Sequence, residues 1–251
     1  MEVIASFLII VAFLTTLHPL REIPDNELTV YTDIPGIELV QKYQVKTFTQ
    51  FKDENIVKQE YDYSCGSAAL ATLLNYHLGE NLTEQQVIHG MMRYGNSKLI
   101  EQRRAFSLLD MKRFVGVLGY TGAGYTAELD DLKGLDAPCI VPIEFWGYKH
   151  FVVCRGIYGG HIFVADPYMG NLSFTITEFE AMWYQNILFL VTADGGVTLN
   201  ALQLREDDLR LVDIQTIRDI VPTDIPAKII SDEHKFKESY GKYQFKNVNV
   251  R

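Results

Sequence analysis

Residues 64–77 read SCGSAALATLLNYH, and this stretch decides the fold of the chain. It is rich in Ala and Leu, which favours an α-helix that begins close to Cys65. A second helix is predicted at 83–94, where Thr83 and Gln86 form a capping pattern in which each side chain bonds the other's backbone. The centre of the chain is therefore predicted to open with packed helices.

The hydrophobic period changes after a third predicted helix at 107–118. Beyond it the apolar residues are β-branched and aromatic, and Gly-containing turns separate them. Strands are predicted at 139–146, 150–157, 161–165 and 187–191, with a short helix at 177–184 and isolated strand pieces earlier in the chain at 28–31 and 45–51. Helices followed by antiparallel strands predict an α+β domain.

Composition and charge restrict the function. The 251 residues are 47% hydrophobic and 22% charged, as in ordinary globular proteins, which excludes wholesale disorder and a polytopic membrane protein. The net charge of −9 leaves no basic stripe for a phosphate backbone, so no nucleic-acid partner is expected. Three cysteines are too few for a disulfide scaffold. No cluster of ligands predicts a metal ion or another cofactor.

The chain is predicted to have four parts. Residues 1–20 form a signal peptide or membrane anchor, because nothing from Val3 to Leu17 is charged. A buried N-terminal helix is the competing interpretation, since Glu2 and the lack of a clear cleavage site are poor for a cleaved signal. Residues 21–54 form an extension, residues 55–193 the main domain, and residues 194–251 a polar tail with one amphipathic stretch at 209–220.

Cys65 is the candidate nucleophile. A thiol at a helix N-terminus faces unpaired N–H groups and the positive end of the helix dipole, and both favour the reactive thiolate. The small residues that follow it, from Gly66 to Ala69, are expected to leave room for a substrate. An inert buried cysteine is the alternative.

His150 is the candidate base, because it starts an apolar strand directly after the turn Gly147-Tyr148-Lys149. If residues 158–160 turn the chain between strands 150–157 and 161–166, residues 166 to 168 lie across the ladder from His150. Asp166 is then positioned to orient the imidazole. A plain turn signal at Asp166-Pro167 is the alternative.

Gln59 lies six residues before Cys65, and its side-chain amide is a candidate donor to a developing oxyanion. The order Gln, Cys, His and Asp, in a chain with helices before the sheet, is typical of papain-like cysteine peptidases.

Three segments carry a resemblance to a known family: QEYDYSCGSAALATLL at 59–74, GYKHFVVCRG at 147–156 and VADPYMGN at 164–171. They resemble the peptidase C39 family, the double-glycine leader peptidases, and the similarity extends over about 55–193. It is greatest to members that carry no transporter. The resemblance implies a papain-like α+β fold with Cys65 as nucleophile, His150 as base, Asp166 as orienting acid and Gln59 as oxyanion donor.

The resemblance also implies cleavage after Gly-Gly in a leader or exported peptide. Members with an N-terminal signal resemble periplasmic proteins, and some resemble accessory peptidases of biofilm or functional-amyloid export systems. Residues without a Cβ fit a narrow channel that larger residues cannot enter, and Tyr63, Trp146 and Tyr148 are candidates for its walls or for simple core packing. Another thiol hydrolase, such as a cell-wall amidase, and a non-catalytic leader-binding accessory remain the alternatives.

The other two cysteines, Cys139 and Cys154, are predicted to lie roughly opposite each other on adjacent strands. They form either a cross-strand disulfide or two buried thiols, and buried thiols are preferred because cysteine is so often simply buried.

Overall fold

The computed structural model describes residues 26–211 apart from 35–36, 146–147, 194 and 196–197, and it leaves the side chains of 31–39, 145 and 210 undescribed. The chain divides into two compact units, Met1–Phe51 and Lys52–Arg251.

The described part of the first unit is an antiparallel hairpin followed by the start of a short helix. Strand β1 (Glu27–Ile34) pairs with β2 (Ile37–Gln44), which confirms the strand predicted at 28–31. The strand predicted at 45–51 is wrong, because helix α1 occupies Phe48–Lys52. Thr47 and Gln50 bond each other's backbone N–H groups at 3.1 and 3.2 Å, which starts a helix there.

The second unit holds most of the helices. They are α2 (Cys65–Tyr76), α3 (Glu84–Tyr94), α4 (Ser97–Arg103), α5 (Leu108–Val117), α6 (Leu129–Lys133) and α7 (Ile176–Met182). The helices predicted at 64–77, 83–94 and 107–118 are confirmed as α2, α3 and α5. Helix α3 begins with the predicted reciprocal bonds between Thr83 and Gln86.

A six-stranded antiparallel sheet follows, with strand order β3-β8-β4-β5-β6-β7. Its strands are β3 (Thr121–Thr126), β4 (Cys139–Phe145), β5 (Tyr148–Tyr158), β6 (His161–Asp166), β7 (Gly170–Thr175) and β8 (Ile187–Thr192). The α+β class is confirmed. The edge strands β3 and β7 were not predicted, because their sequences TGAGYT and GNLSFT are short and poor in alternating apolar residues.

The apolar core lies on both faces of this sheet, because successive side chains of a strand point to opposite faces. One cluster joins α2, α3 and α5 to sheet residues that include Ile140 and Val153. The other cluster contains their neighbours in sequence, among them Val141, Val152 and Cys154. Helix α2 thus packs against one face of the sheet through the first cluster.

Residues 198–211, here called the C-terminal strap, pack onto this second unit. The Leu199 N–H donates to the His77 carbonyl oxygen over 2.7 Å, and the Asn55 amide donates to the Ala201 carbonyl oxygen over 2.9 Å. Leu202 and Leu211 are buried. Of the amphipathic stretch predicted at 209–220, only the first three residues are described, and the remainder lies outside the described residues.

None of the helices that the structure describes is long and apolar enough to cross a membrane. The uncharged run from Val3 to Leu17 lies outside the described residues.

Candidate active site

Cys65 is the first residue of α2 and is buried. The loop before it turns sharply: the Ser64 N–H and hydroxyl both donate to the Tyr61 carbonyl oxygen, over 3.3 and 2.7 Å. Tyr63 adopts a left-handed backbone with φ of 76°, which is uncommon for a bulky residue. The turn places the thiol among the unpaired N–H groups at the start of the helix.

The small residues after Cys65 serve packing, and the expectation that they leave room for a substrate is wrong. A Cβ on Gly66 would lie 2.8 Å from the Met111 Cε and 3.3 Å from the Phe151 Cδ2. Ala68 and Ala69 are completely buried. They let α2 approach α5 and β5 closely, and this close approach sets the position of Cys65 beside the sheet.

His150 and Asp166 form a buried side-chain pair. The His150 Nε2 lies 2.9 Å from the Asp166 Oδ1. Strands β5 and β6 pair Val153 with Ala165, so Asp166 lies diagonally across the ladder from His150, within the predicted range. The predicted cross-strand contact is therefore present.

The Asp166 carboxylate is also held by its own loop. Its Oδ1 accepts hydrogen bonds from the N–H groups of Tyr168 and Met169, over 2.7 and 3.0 Å. Burial raises the pKa of Asp166, but attraction to His150 and these hydrogen bonds outweigh it and hold the pKa below its ordinary value. Asp166 is thus a fixed negative charge beside the imidazole.

His150 also interacts with Cys65. Burial lowers the pKa of His150, but the charges of Asp166 and Cys65 and their hydrogen bonds outweigh it and raise the pKa to about 10. Since Nε2 faces Asp166, Nδ1 is the nitrogen through which His150 can exchange a proton with the thiol. Such an arrangement can perform nucleophilic catalysis by a thiolate, with the imidazolium as acid.

Gln59 lies beside the turn that follows Asp166. Its backbone N–H donates to the Pro167 carbonyl oxygen over 3.0 Å, and its side-chain Nε2 lies 3.4 Å from the Tyr61 carbonyl oxygen. The structure thus places Gln59 between the Asp166 turn and the loop that leads to Cys65. Its role as an oxyanion donor stays a prediction.

The three predicted channel residues have different locations. Tyr63 lines a groove of about 530 Å³ that begins at Ser64, next to the nucleophile. Tyr148 is the first residue of β5, opposite Phe145. Trp146 lies outside the described residues.

Sequence reasoning missed most of this groove. Its apolar residues include Ile88, Met92, Ile100 and Phe106, and its charged rim includes Glu101 and Arg104. The spacing of Ile88 and Met92 by one helical turn on α3 was the available signal, although the packing of α4 beside α3 could not be inferred from it.

Cys139 and Cys154 are directly opposite each other on β4 and β5, and all three cysteines are free and buried. The hydrogen bond that the Cys139 thiol donates to Cys154 and, next, burial raise the pKa of Cys139 well above its ordinary value. The preferred interpretation as two buried thiols agrees with this structure. Within the described ranges, no group of three or more His, Cys, Asp or Glu residues could hold a metal ion.

A buried cysteine at a helix N-terminus, paired with a histidine that an aspartate orients, defines the class of thiol hydrolases. Comparison with known proteins narrows the class, since the model of the peptidase C39 family matches residues 53–195. The chain belongs to this family and is a cysteine peptidase.

The chain is also similar to individual known proteins. The chain is 40% identical over 162 residues to the probable functional amyloid protease FapD of Pseudomonas aeruginosa, over 64% of this chain and 70% of that protein. It is 35% identical over 169 residues to the protein of the same name from Pseudomonas fluorescens, over 67% of this chain and 74% of that protein. A crystal structure of a double glycine motif protease from an AMS/PCAT transporter in complex with the leader peptide covers 57% of this chain and 94% of its own, with 24% identity and a TM-score of 0.47.

Proposed function

We propose that this chain is an endopeptidase that cleaves on the carboxyl side of Gly-Gly in a leader or exported peptide. The observation that carries the proposal is the buried contact between His150 and Asp166, with Cys65 at the start of α2 beside the imidazole. Cys65 is the nucleophile, His150 the acid and base, Asp166 the orienting group and Gln59 the oxyanion donor.

The reaction follows from these positions. The Cys65 thiolate attacks the carbonyl carbon of the second glycine, and the negative oxygen that forms accepts from the Cys65 N–H and the Gln59 amide. The His150 imidazolium gives its proton to the departing amine, which leaves a thioester on Cys65. Water then attacks the thioester, His150 takes a proton from this water, and the acid product leaves as the thiolate and imidazolium are restored.

Asp166 supports both proton transfers. Its bond to Nε2 fixes the ring so that Nδ1 faces the sulfur, and its negative charge stabilises the imidazolium. Because Asp166 is itself held by two backbone N–H groups, the ring orientation is set before the substrate arrives.

The surface beside Cys65 supports a peptide substrate. The groove that starts at Ser64 has an apolar floor from α3 and α4, which fits apolar side chains of a peptide. Steric exclusion of a Cβ near the thiol, with Tyr63 as one wall, accounts for a Gly-Gly preference. Exclusion discriminates more strongly than one extra methylene group, which contributes only about 1–3 kcal/mol.

The names of the relatives suggest the biological substrate. Because two relatives are called probable functional amyloid proteases, we place the substrate of this chain in a functional-amyloid or biofilm export system. We also propose that the uncharged run from Val3 to Leu17 exports the chain to the periplasm or anchors it in the membrane. A fusion of alkaline phosphatase after residue 30 should be active outside the cytoplasm, and an inactive fusion with an active cytosolic reporter would contradict this location.

Cleavage of a matched pair of reporter peptides tests the function. The full chain should cut a peptide with Gly-Gly after the second glycine and leave its Ala-Ala counterpart intact, as mass spectrometry of the products would show. Cys65→Ala should cut neither peptide, and Gln59→Ala should lower kcat by roughly 10²–10³-fold. Equal cleavage of both peptides, or hydrolysis of cell-wall fragments instead, would contradict the proposal.

Thiol labelling tests the nucleophile independently of the substrate. Iodoacetamide at pH 6 should alkylate Cys65 faster than the other two cysteines, because Cys65 lies at a helix N-terminus beside His150. Cys139 and Cys154 serve as internal controls because they lie on strands β4 and β5, whereas Cys65 starts a helix. Slow labelling that is no different in Cys65→Ala would argue against an activated Cys65.

A further inference from the structure

Glu84 is a buried carboxylate close to the nucleophile for which the mechanism above has no use. It is the first residue of α3 and is 4% exposed. Its Oε2 accepts a hydrogen bond from the Glu60 backbone N–H over 2.9 Å. The nearby Ser64 side chain lowers the pKa of this carboxyl, while its hydroxyl proton goes to the Tyr61 carbonyl oxygen. Glu84 therefore holds the first residue of the segment 60–64 directly.

Capping of α3 does not explain this carboxylate. Thr83 and Gln86 already satisfy each other's backbone N–H groups at the start of the helix, over 2.8 and 3.2 Å. Burial is the largest cause and raises the pKa of Glu84 above its ordinary value. The nearby Ser64 side chain and the hydrogen bond from the Glu60 backbone lower the pKa, and the negative charge of Glu60 raises it. The carboxylate is thus held at a position that disfavours its charge.

The segment that Glu84 holds joins two residues of the proposed mechanism. Gln59 precedes the segment and Cys65 follows it. The segment contains Tyr63 in a left-handed backbone conformation, which persists only where surrounding contacts enforce it. The bonds of Ser64 to the Tyr61 carbonyl oxygen close the turn from within, and Glu84 braces it from α3.

We propose that Glu84 is a positioning residue that fixes segment 60–64 and thereby sets the Gln59 amide and the Cys65 N–H at one distance from the developing oxyanion. This inference rests on the proposed function. Two donors stabilise an oxyanion only if both reach the same oxygen, and a misplacement of about 1 Å is worth roughly 10²-fold in rate. Glu84 acts through these two residues and does not touch the substrate.

The test compares three substitutions of Glu84 on the Gly-Gly reporter. Glu84→Ala should lower kcat by about 10- to 100-fold, because loss of the brace disturbs the oxyanion donors. KM should rise by a smaller factor, because residues 61–64 line one part of the groove and the lining residues on α3 and α4 stay in place. Glu84→Gln should keep kcat within about threefold, since its amide oxygen can still accept from the Glu60 N–H. Glu84→Asp keeps the charge and most of the volume but shortens the side chain, so its kcat should lie between those of Glu84→Ala and Glu84→Gln.

Asp110 provides the matched control. It is 3% exposed, lies in the first turn of α5, and accepts from the backbone N–H groups of Asn96 and Ser107, both over 3.0 Å. It does not contact segment 60–64 through these bonds. Asp110→Ala should lower the thermal midpoint at least as much as Glu84→Ala and leave kcat within about threefold of the wild type.

Alkylation of Cys65 separates positioning of the oxyanion donors from a general disturbance of the nucleophile. Attack on iodoacetamide needs no oxyanion donor, so its rate in Glu84→Ala should stay within about threefold of the wild type while kcat for the peptide falls. Glu84→Asp gives the same comparison if Glu84→Ala does not fold.

Each outcome bears on one of the two proposals. An unchanged kcat in folded Glu84→Ala and Glu84→Asp would overturn the role of Glu84 alone, as would an equal loss in Glu84→Gln and Glu84→Ala. A fall in alkylation rate equal to the fall in kcat, or a loss of kcat in Asp110→Ala as large as in Glu84→Ala, would also overturn it. A wild-type chain that cleaves no Gly-Gly reporter would remove the proposed function, and this inference with it.

Discussion

Strand β5 carries two buried charge pairs five residues apart, and they differ in whether the cation can release its proton. His150 bonds Asp166 through its Nε2, over 2.9 Å, and its pKa is also raised by its interaction with Cys65. Arg155 pairs with Asp208 of the C-terminal strap over 2.7 and 2.9 Å, and Asp208 is 1% exposed. An imidazole can release its proton, whereas a guanidinium keeps its charge throughout the accessible pH range.

The hydrogen bonds of Arg155 fit a cation that keeps its charge. The guanidinium of Arg155 also donates to the side chain of Asn171 and to the carbonyl oxygens of Leu202 and Gln203, so each of its N–H groups has a partner. Because all of its N–H groups are hydrogen-bonded, the Arg155 guanidinium connects the sheet rigidly to the strap. One buried pair is thus suited to proton transfer and the other to stability.

A β-bulge directs Arg155 to the strap. Cys154 pairs with Val164 and Gly156 with Phe163, which leaves Arg155 as the extra residue. A bulge re-aims the side chain that it contains. A Cβ on Gly156 would lie 3.2 Å from the Leu204 side chain, so the strap also packs closely over the bulge.

The largest effect is expected from a variant that breaks the pair of His150 with Asp166. His150→Ala should lower kcat by about 10²–10⁴-fold, because both the acid of the first step and the base of the second are lost. His161→Ala, on the neighbouring strand β6, is the control and should retain activity within about twofold. Hydrolysis of the Gly-Gly reporter measures both, and comparable activity in the two variants would argue against His150 as the base.

The next largest effect is expected from a variant that breaks the pair of Arg155 with Asp208. Asp208→Asn leaves the Arg155 charge buried without its countercharge, which should cost about 3–5 kcal/mol of unfolding free energy. Urea denaturation measures this loss, and the folded fraction should keep its kcat because Arg155 does not touch the site.

Asp130→Asn is the matched control for this loss. It removes the exposed ion pair with Lys133, which spans 2.8 Å, and should barely move the urea midpoint. A similar small shift for Asp208→Asn would show that the strap contributes little to the stability of the domain.

The two pairs also differ in how far the sequence predicts them. The contact of His150 with Asp166 follows from strand alternation and a short turn, because the two residues lie on consecutive strands. The partner of Arg155 lies 53 residues away in a segment that reads as a polar tail, and the bulge that aims Arg155 breaks the alternation used to assign faces. Local patterns therefore predict the candidate catalytic residues but not the strap.

The same distinction applies to the rest of the chain. Helices α2, α3 and α5 were predicted because their caps and apolar spacing are local signals. The groove beside Cys65 and the bond between Glu84 and Glu60 depend on how α3 packs against the loop before α2, which spacing along one helix does not determine. The helix at 48–52 shows the opposite error, since a β-branched run there was outweighed by one capping threonine.

A smaller effect sharpens the role of Asp166. Asp166→Asn should keep partial activity, because the imidazole remains but its orientation and countercharge are weakened. Attraction to Asp166 is a main cause of the raised pKa of His150, so the alkaline limb of kcat/KM should move to lower pH in this variant. A pH profile of reporter cleavage measures it, and an unshifted alkaline limb would mean that Asp166 does not hold the proton on His150.

The smallest effect concerns stability as a function of pH and separates the two pairs directly. The pKa of His150 is raised from 6.5 to about 10, so the folded state binds the proton more tightly than the unfolded state does. The stabilisation that this proton gives is fully present below pH 6.5 and is lost as the pH rises through about 10. A guanidinium keeps its charge over this range. The free energy of unfolding of the wild type, measured with urea, should therefore decrease between pH 7 and 10. His150→Gln should remove part of this decrease. Asp208→Asn should lower the free energy of unfolding by the same amount at both pH values. The comparison with His150→Gln is needed because the raised pKa of Cys139 gives the wild type a pH dependence of the same sign.

Parallel pH profiles for the wild type and His150→Gln would mean that His150 is not protonated in the folded chain at neutral pH. Its buried contact with Asp166 would then be a hydrogen bond of a neutral ring.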